Sequence, residues 1–251
     1  MLSIIIPVLH IKRPLNKKRF FMPRQTIKET LISLNKSLRI KCEIIIVCNG
    51  QDKELVEFVK TNNFITRFCL VSENVGVSRA WNIGANLSSG NVLCFLNDDV
   101  SIGKLALDKL YDYLIKNEKI GQVGPEGSYW KNCAHVELID CRKPTIADVI
   151  SGFCFLIKAD LYYKLGGFDT NFSPAGYEEI DMSYRIRQAG YDCIVYPDRT
   201  IKHFHHHSVS SQNTDISFMG KTINTVDLHK INTKKFKIKW QKREPISNKN
   251  N

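Results

Sequence analysis

Three groups of side chains have the types and spacing to do chemistry. Asn97-Asp98-Asp99 follows the apolar run 92–96. Two adjacent carboxylates after an amide, at the end of a strand, suit a hard divalent cation such as Mg²⁺ or Mn²⁺, which would typically also hold a diphosphate. The same residues suit the N-cap of a following helix. Glu178-Glu179-Ile180-Asp181 opens a helical stretch. Acids in a first turn complement the helix dipole, and Asp181 and Arg185 are spaced as an i,i+4 pair. Crowded carboxylates also repel one another, which raises one pKa toward a value useful to a base. His203-Phe204-His205-His206-His207 follows an apolar run and Pro197. An imidazole there either completes a metal site beside Asp99 or stands in a polar loop. A fourth stretch, residues 73–84, reads as a loop and a helix start. Gly76 allows a tight turn, the helix N-terminus can face an anion, and Arg79 can pair with a diphosphate. This stretch is neither GxGxxG nor a Walker loop, which argues against a nicotinamide dehydrogenase or a P-loop enzyme.

The elements that must position these groups alternate along the first half. Short apolar runs at 2–8, 42–47, 68–71 and 92–96 read as strands, and helical spacing of apolar residues predicts helices at 26–38, 53–60, 77–87 and 102–115. The alternation implies right-handed βαβ units and a mostly parallel sheet covered on both faces. The second half is less regular. Residues 121–125, 149–157 and 193–196 read as strands, 127–141 as an irregular or hairpin segment, and 159–165 and 178–189 as helices. From Asp215 the chain is polar and basic, with one or two helices expected. Each chemical group falls just past the end of a strand, where open α/β sheets hold their ligands.

Composition bounds the function classes. The chain has 251 residues, 43% of them hydrophobic, enough for one sizeable core and against a mainly disordered chain. No apolar run approaches the roughly 18–20 residues that span a bilayer. The apolar start lacks a basic leader and reads as a buried strand rather than a signal peptide. Eight cysteines form no CxxC pair and sit mostly in apolar runs, the pattern of reduced thiols in a cytoplasmic protein. The net charge of +11 is concentrated at the flanks: seven basic residues and no acid between Lys12 and Lys28, and nine basic residues against two acids after Gly220. Such flanks suit an anionic membrane face, nucleic acid or phosphorylated substrates, or simply a solvated surface. No RNA-recognition aromatics or zinc-finger spacing accompany them, so no nucleic-acid partner is expected.

Taken in order, the motifs resemble glycosyltransferase family 2, the inverting nucleotide-sugar transferases, over about residues 1–210. Ser3-Ile4-Ile5-Ile6-Pro7 is similar to the family's opening strand, and residues 43–50 to its second strand and nucleoside turn. Residues 74–84 are similar to its NxGxxxxxNxG segment, and Phe95-Leu96-Asn97-Asp98-Asp99 to its DxD-type metal motif. Gly166-Gly167-Phe168-Asp169, then Glu178-Glu179-Ile180-Asp181 with Arg185, then Gly190-Tyr191, resemble its acceptor-side signature. His203 with Ser208 resembles a late "H…S" element, and Lys239-Trp240 the "KW" of rhamnosyltransferase-like members. Cys48 stands where the family often has a base-reading Asp, and Asn97 at the first DxD position.

The resemblance implies one GT-A domain, a Rossmann-like α/β fold with a mixed, mostly parallel central sheet flanked by helices. Residues 1–100 would bind the nucleotide sugar, 101–210 would build the acceptor side, and 211–251 would form a basic tail. It implies an inverting transferase that moves a sugar from a UDP- or dTDP-linked donor, rhamnose among the candidates, to a hydroxyl of a glycan or lipid-linked glycan. Asp99 and His203 would hold Mn²⁺ or Mg²⁺, with Asp98 beside them at the donor. Glu179 would be the base, with Glu178 and Asp181 positioning it or binding hydroxyls. Pro7, His10, Asn49, Asn74, Gly76, Arg79 and Asn82 would contact the nucleotide, and Ser151 and Gly152 would border the sugar. The tail would either touch an anionic membrane surface or pack on the domain through Phe236, Ile238 and Trp240. A catalytically inactive nucleotide-sugar-binding or partner-binding module is the alternative on the same fold.

Overall fold

The computed structural model describes residues 1–12, 25–204, 213–245 and 248. Most of the basic 12–28 loop, and His205, His206, His207 and Ser208, lie outside the described residues. An eight-stranded sheet contains β1 (Leu2–Val8), β2 (Cys42–Asn49), β3 (Arg67–Val71), β4 (Val92–Leu96), β6 (Ile120–Gly124), β9 (Thr145–Ala147), β11 (Cys154–Lys158) and β12 (Asp192–Val195). Their order is β3-β2-β1-β4-β11-β6-β12-β9. β1 to β4 run parallel, as do β6 and β12, while β11 is antiparallel to both β4 and β6, and β9 to β12. Six strands therefore end on one edge, and β11 begins on that edge. The mixed, mostly parallel sheet expected from the sequence is present.

The helices cover both faces. α1 (Ile27–Ser37), α2 (Lys53–Thr61) and α4 (Ala106–Lys116) pack Leu31, Leu34, Leu55, Leu107 and Leu110 against Leu2, Ile4 and Ile6 of β1. α3 (Val77–Asn86), α5 (Ala159–Lys164) and α6 (Glu178–Gln188) pack Trp81, Tyr162 and Met182 against Ile5, on the other face of the same strand. Gly84 lets α3 approach closely: a methyl group there would fall 2.3 Å from Ile5 Cγ2. α1 begins at a capping box formed by Thr26 and Glu29.

Smaller elements depart from the sequence expectations. The apolar run 149–157 is two strands, β10 (Val149–Ile150) and β11, separated by Ser151-Gly152-Phe153. β7 (Gly127–Lys131) and β8 (Ala134–Leu138) form the hairpin, turning through left-handed Asn132 and Cys133, and β10 pairs with β7. α4 starts four residues later than its pattern suggests, after Leu105 in the left-handed region. β5 (Val100–Ser101) pairs with β13 (Lys202–His203). Beyond residue 212 a hairpin, β14 (Asp215–Phe218) and β15 (Lys221–Asn224), precedes a single helix, α7 (Thr225–Trp240). α7 buries Leu228, Asn232, Phe236 and Trp240, an i,i+4 stripe, and Phe236 and Trp240 join Trp130, Phe172 and Tyr184 in a separate core cluster. Ile238, expected to pack there too, is 74% exposed because it lies off that stripe. The eight cysteines are free thiols. Among the described residues no helix is long and apolar enough to cross a membrane.

Candidate active site

Chemistry-bearing residues converge where β4 ends and β11 begins. Asn97 N donates to Phe153 O at 2.9 Å, extending the β4–β11 ladder by one residue. The turn that follows is held from both sides: Thr30 Oγ1 donates to Asp98 O at 2.9 Å and Phe204 N to Asp99 O at 3.1 Å. The short β5–β13 pairing places His203 opposite Val100, so His203 Nε2 lies 3.2 Å from Asp99 Oδ1. The His203 ring stacks on Phe153, with centroids 4.6 Å apart and planes 14° apart. Asp98 and Asp99 are both buried.

The separation of these two donor atoms tests the fit of a divalent cation. Adjacent ligands on a six-coordinate ion with bonds of about 2.1 Å stand roughly 3.0 Å apart, close to the 3.2 Å between Asp99 and His203. Among the described residues no three His, Cys, Asp or Glu side chains form a cluster.

The loop between β10 and β11 joins this pair to the acidic helix. Ser151 Oγ donates to Glu126 Oε1 at 2.9 Å. A methyl group on Gly152 would lie 3.0 Å from Cγ and 3.1 Å from Cδ of Glu179. Phe153, next in the chain, meets Asn97 and His203. Three consecutive residues thus touch Glu126, Glu179 and the Asp99–His203 pair. Glu178 and Glu179 open α6 behind left-handed Tyr177. Burial raises the pKa of both, and repulsion from Glu179 raises that of Glu178 further. Beside Phe153 a cavity of about 300 Å³ is lined by Glu126, Ile139, Val195, Arg199 and Ile201, among others.

A second group gathers at the ends of β1, β2 and β3. Pro7 is half-buried at the register of Val47, and exposed His10 faces Asp52 at 3.7 Å. Asn49 Oδ1 accepts from Val75 N at 2.9 Å, Asn49 Nδ2 donates to Asn74 Oδ1 at 3.1 Å, and that oxygen also accepts from Gly76 N at 2.9 Å. The β14–β15 hairpin sits on this turn: Asn74 Nδ2 donates to Ser217 O at 3.0 Å, and the Arg79 guanidinium lies 5.7 Å from the Phe218 ring centroid. Arg79 Nη1 is buried with no hydrogen-bond partner among the described residues. Cys48 is fully buried, and burial pushes its thiol up to about 11, so it stays neutral.

Two residues expected at ligands are engaged elsewhere. Asn82 donates to Phe168 O and accepts from Phe168 N, both at 2.9 Å, and also accepts from the Tyr162 hydroxyl. Its amide fastens α3 to the Gly-Gly-Phe-Asp loop rather than facing a nucleotide. Asp181 is fully buried, with Arg185 at 2.8 Å on one oxygen and Trp240 Nε1 at 2.8 Å and Lys239 Nζ at 2.7 Å on the other. It is the anchor of α7 rather than a hydroxyl-binding group. Lys239 also reaches Asp169 at 2.7 Å, so the "KW" pair joins two acidic motif residues. Sequence reasoning missed Phe153 and Asn232. A polar residue on the buried stripe of α7 was the available signal for the latter.

The geometry can be set beside known proteins. A family model described as "Glycosyl transferase family 2" matches residues 16–166. An uncharacterized glycosyltransferase of Haemophilus influenzae is 24% identical, over 93% of this chain and 78% of its own length. A probable N-acetylgalactosaminyltransferase 6 of Caenorhabditis elegans is 25% identical, over 73% of this chain and 35% of its own. An uncharacterized protein of H. influenzae is 30% identical over 39% of this chain and 56% of its own length, so the chain spans between a third and somewhat over half of these last two relatives. Among solved structures, GalNAc-T7 with UDP, GalNAc and Mn²⁺ superposes with a TM-score of 0.63 at 20% identity, covering 80% of this chain and 42% of that one. The mannosyltransferase PcManGT from Pyrobaculum calidifontis, in complex with GDP-Man and Mn²⁺, gives 0.56 at 18% identity, covering 78% and 55%. These likenesses establish a GT-A fold.

Proposed function

The chain belongs to glycosyltransferase family 2, and from that premise we propose that it transfers a sugar from a nucleoside-diphosphate donor to a hydroxyl of a glycan or lipid-linked glycan, inverting the anomeric carbon. The observation that carries this reading is the Ser151–Phe153 loop, which seats Glu179 and the Asp99–His203 pair on neighbouring residues. Glu179 takes the proton of the acceptor hydroxyl as that oxygen bonds to the anomeric carbon. The carbon–phosphate oxygen bond breaks, and its electron pair leaves with the nucleoside diphosphate. The transition state is oxocarbenium-like, as in other glycosyl chemistry. A divalent cation held by Asp99 and His203 would supply charge neutralisation at the diphosphate. Burial raises the proton affinity of Glu179, and burial with repulsion from Glu179 raises that of Glu178, which moves a base toward the pH at which it works.

Asn49, Asn74, Gly76 and Arg79 form the nucleotide side, with Pro7 and His10 at its outer edge, and the buried Nη1 of Arg79 is the donor offered to a phosphate oxygen. Asp98 would stand beside the cation at the donor, and Gly152 would border the sugar. The cavity beside Phe153 receives the acceptor, whose hydroxyls meet Glu126. UDP- and dTDP-linked sugars, rhamnose included, are the first donors to try, and GDP-mannose joins them through PcManGT. Lys230, Lys234 and Lys237 on the exposed face of α7, beside Ile238, offer peripheral contact with an anionic, cytoplasmic membrane face, where a lipid-linked acceptor resides. Co-flotation with phosphatidylglycerol vesicles that is lost in a triple Lys→Glu variant supports that contact; equal flotation of both proteins refutes it.

The principal test is a thermal-shift panel of UDP-, dTDP- and GDP-sugars, each with and without Mn²⁺. A metal-dependent rise with one nucleotide, and turnover lost in Glu179→Gln, support the transferase. Metal-dependent binding with full turnover in Glu179→Gln overturns the base assignment. Donor binding without turnover in the wild type identifies the inactive binding module.

A further inference from the structure

α7 lies beyond the residues that the family model matches, yet its inner face meets the loop that delivers the acidic pair. That loop, 172–177, ends in Gly176 and Tyr177, both left-handed with φ of 91° and 79°, and Tyr177 is the N-cap of α6 without a side-chain cap. A non-glycine residue in that conformation persists only where its surroundings hold it.

α7 does the holding. Asn232 is fully buried, and its Nδ2 stands 2.7, 3.0 and 3.1 Å from the carbonyl oxygens of Phe172, Ala175 and Gly176. The next residue, Thr233, places its hydroxyl 2.8 Å from that of Tyr177. Lys235 Nζ donates to Asn171 O at 2.7 Å. The ring of His229 lies 3.3 Å from where a Cβ on Gly176 would stand. On its other side the loop meets the nucleotide half: Pro174 O accepts from Val77 N at 2.8 Å, and Pro174 Cα fills the space beside Gly76. The loop is therefore gripped between α7 and the Gly76 turn, with Glu178 and Glu179 as its next residues.

We propose that Asn232 is a positioning residue for the transfer reaction, fixing loop 172–177 so that Glu179 is held against Gly152 in register with the Gly76 turn. This rests on the reading of Glu179 as the base. Asn232 touches no reacting atom, and its effect passes entirely through three loop carbonyls. The grip uses an amide, whose NH₂ group turns two N–H donors on converging carbonyls from one atom without burying a charge. Asn232 Oδ1 is buried with no partner among the described residues, so the amide is kept despite an unsatisfied acceptor. Among the described residues, the charged and titratable groups that act on Glu179 are Glu178 on its own helix and His229 on α7.

The test compares Asn232→Leu, Thr233→Val and Glu179→Gln in the full chain. The first readout is hydrogen exchange by mass spectrometry. Asn232→Leu should speed exchange of amides 172–180 by about tenfold or more while β1 to β4 keep wild-type protection; unchanged exchange in 172–180 overturns the proposal. The second readout is nucleotide release from the sugar nucleotide that gives the metal-dependent thermal shift, with water as acceptor. Asn232→Leu should lower kcat by about 10- to 100-fold, leave donor KM within about twofold and move the acid limb of the pH–rate profile. A matching fall in kcat with the pH profile unmoved marks a merely structural role and overturns it. Should Asn232→Leu fail to fold, Thr233→Val answers the same question from the neighbouring bond: a smaller fall in kcat with a moved pH limb supports the proposal, and wild-type values overturn it. Full turnover in Glu179→Gln removes the base reading itself, whereas loss of turnover there with a wild-type Asn232→Leu removes only the positioning role.

Discussion

Gly152→Ala perturbs the proposed base through a single methyl group. The added carbon would stand 3.0 Å from Glu179 Cγ and 3.1 Å from Cδ, where unstrained carbon–carbon contacts lie at about 3.5–4.0 Å. Gly152 is not in the left-handed region, so the backbone tolerates alanine and the strain falls on the carboxylate. Glu179 must retreat by about 0.5–1 Å, and misplacement on that scale costs up to roughly 100-fold in rate. Overpacking of this kind costs about 1 kcal/mol, or a fall of about 2–4 °C in Tm for a chain of this size. The assay is donor turnover under saturating Mn²⁺, with kcat and donor KM measured separately, beside a melting curve. Expected are a kcat lowered by about 10- to 100-fold, donor KM within about twofold, and the small Tm loss. Wild-type kcat with the predicted Tm loss would refute the reasoning, because it would mean that the carboxylate can move without consequence.

Asp99→Asn keeps the shape of the turn but removes the charge that a cation requires; the Mn²⁺-dependent part of the thermal shift should vanish while the metal-free Tm stays within about 2 °C, and a retained Mn²⁺ response would count against the site. Lys239→Met leaves the buried Asp181 with Arg185 as its remaining cation. Because Lys239 is about a quarter exposed, the expected cost is discounted from the buried-pair range to about 2 kcal/mol, or about 4–8 °C in Tm, and a shift under about 1 °C would contradict the anchoring role. Glu178 has a pKa raised by burial and by Glu179, so its stabilising contribution is complete below the ordinary glutamate range, near pH ~4.3, and is lost as pH rises through the raised value. Glu178→Gln should accordingly raise Tm over wild type at pH 8 and lose that advantage at pH 4; an equal Tm difference at both pH values would refute the sign.

Much of the fold was legible because strands buried on both faces are continuous apolar runs, as in β1, β2 and β4, and because α1 carries its capping box in plain sequence. The break at Ser151–Phe153 carries a turn signal in Ser151-Gly152, but with apolar runs on both sides only the pairing with β4 and β7 shows that the chain changes sheet there. The β14–β15 hairpin was missed because its turn, Met219-Gly220, lacks the Asn-Gly or Asp-Gly signature and its strands are short and polar. At the candidate site, Asp99 and His203 were recognisable by type and motif order, and the structure brings them together. Asn82 and Asp181 were equally prominent, yet their polar atoms face Phe168 in one case and Arg185, Lys239 and Trp240 in the other. Spacing marks a polar residue as required. Whether its polar atoms face a ligand or the framework depends on partners far along the chain, and those are invisible until the chain is folded.

The anchoring of α7 sets a timetable for synthesis. Lys239 reaches back 70 residues to Asp169, and Glu244 reaches back 111 residues to accept from Cys133 N. Domains fold as units while the chain emerges from the ribosome, N-terminal part first. The parallel β1–β4 half has its partners early. The half holding Asp169, Asp181 and the Glu178–Glu179 pair shares a core cluster with α7, through Phe236 and Trp240 against Trp130, Phe172 and Tyr184. The acidic half of the sheet is thus tied to a helix made after it, and α7 has to be in place before Asp169 and Asp181 have Lys239 beside them.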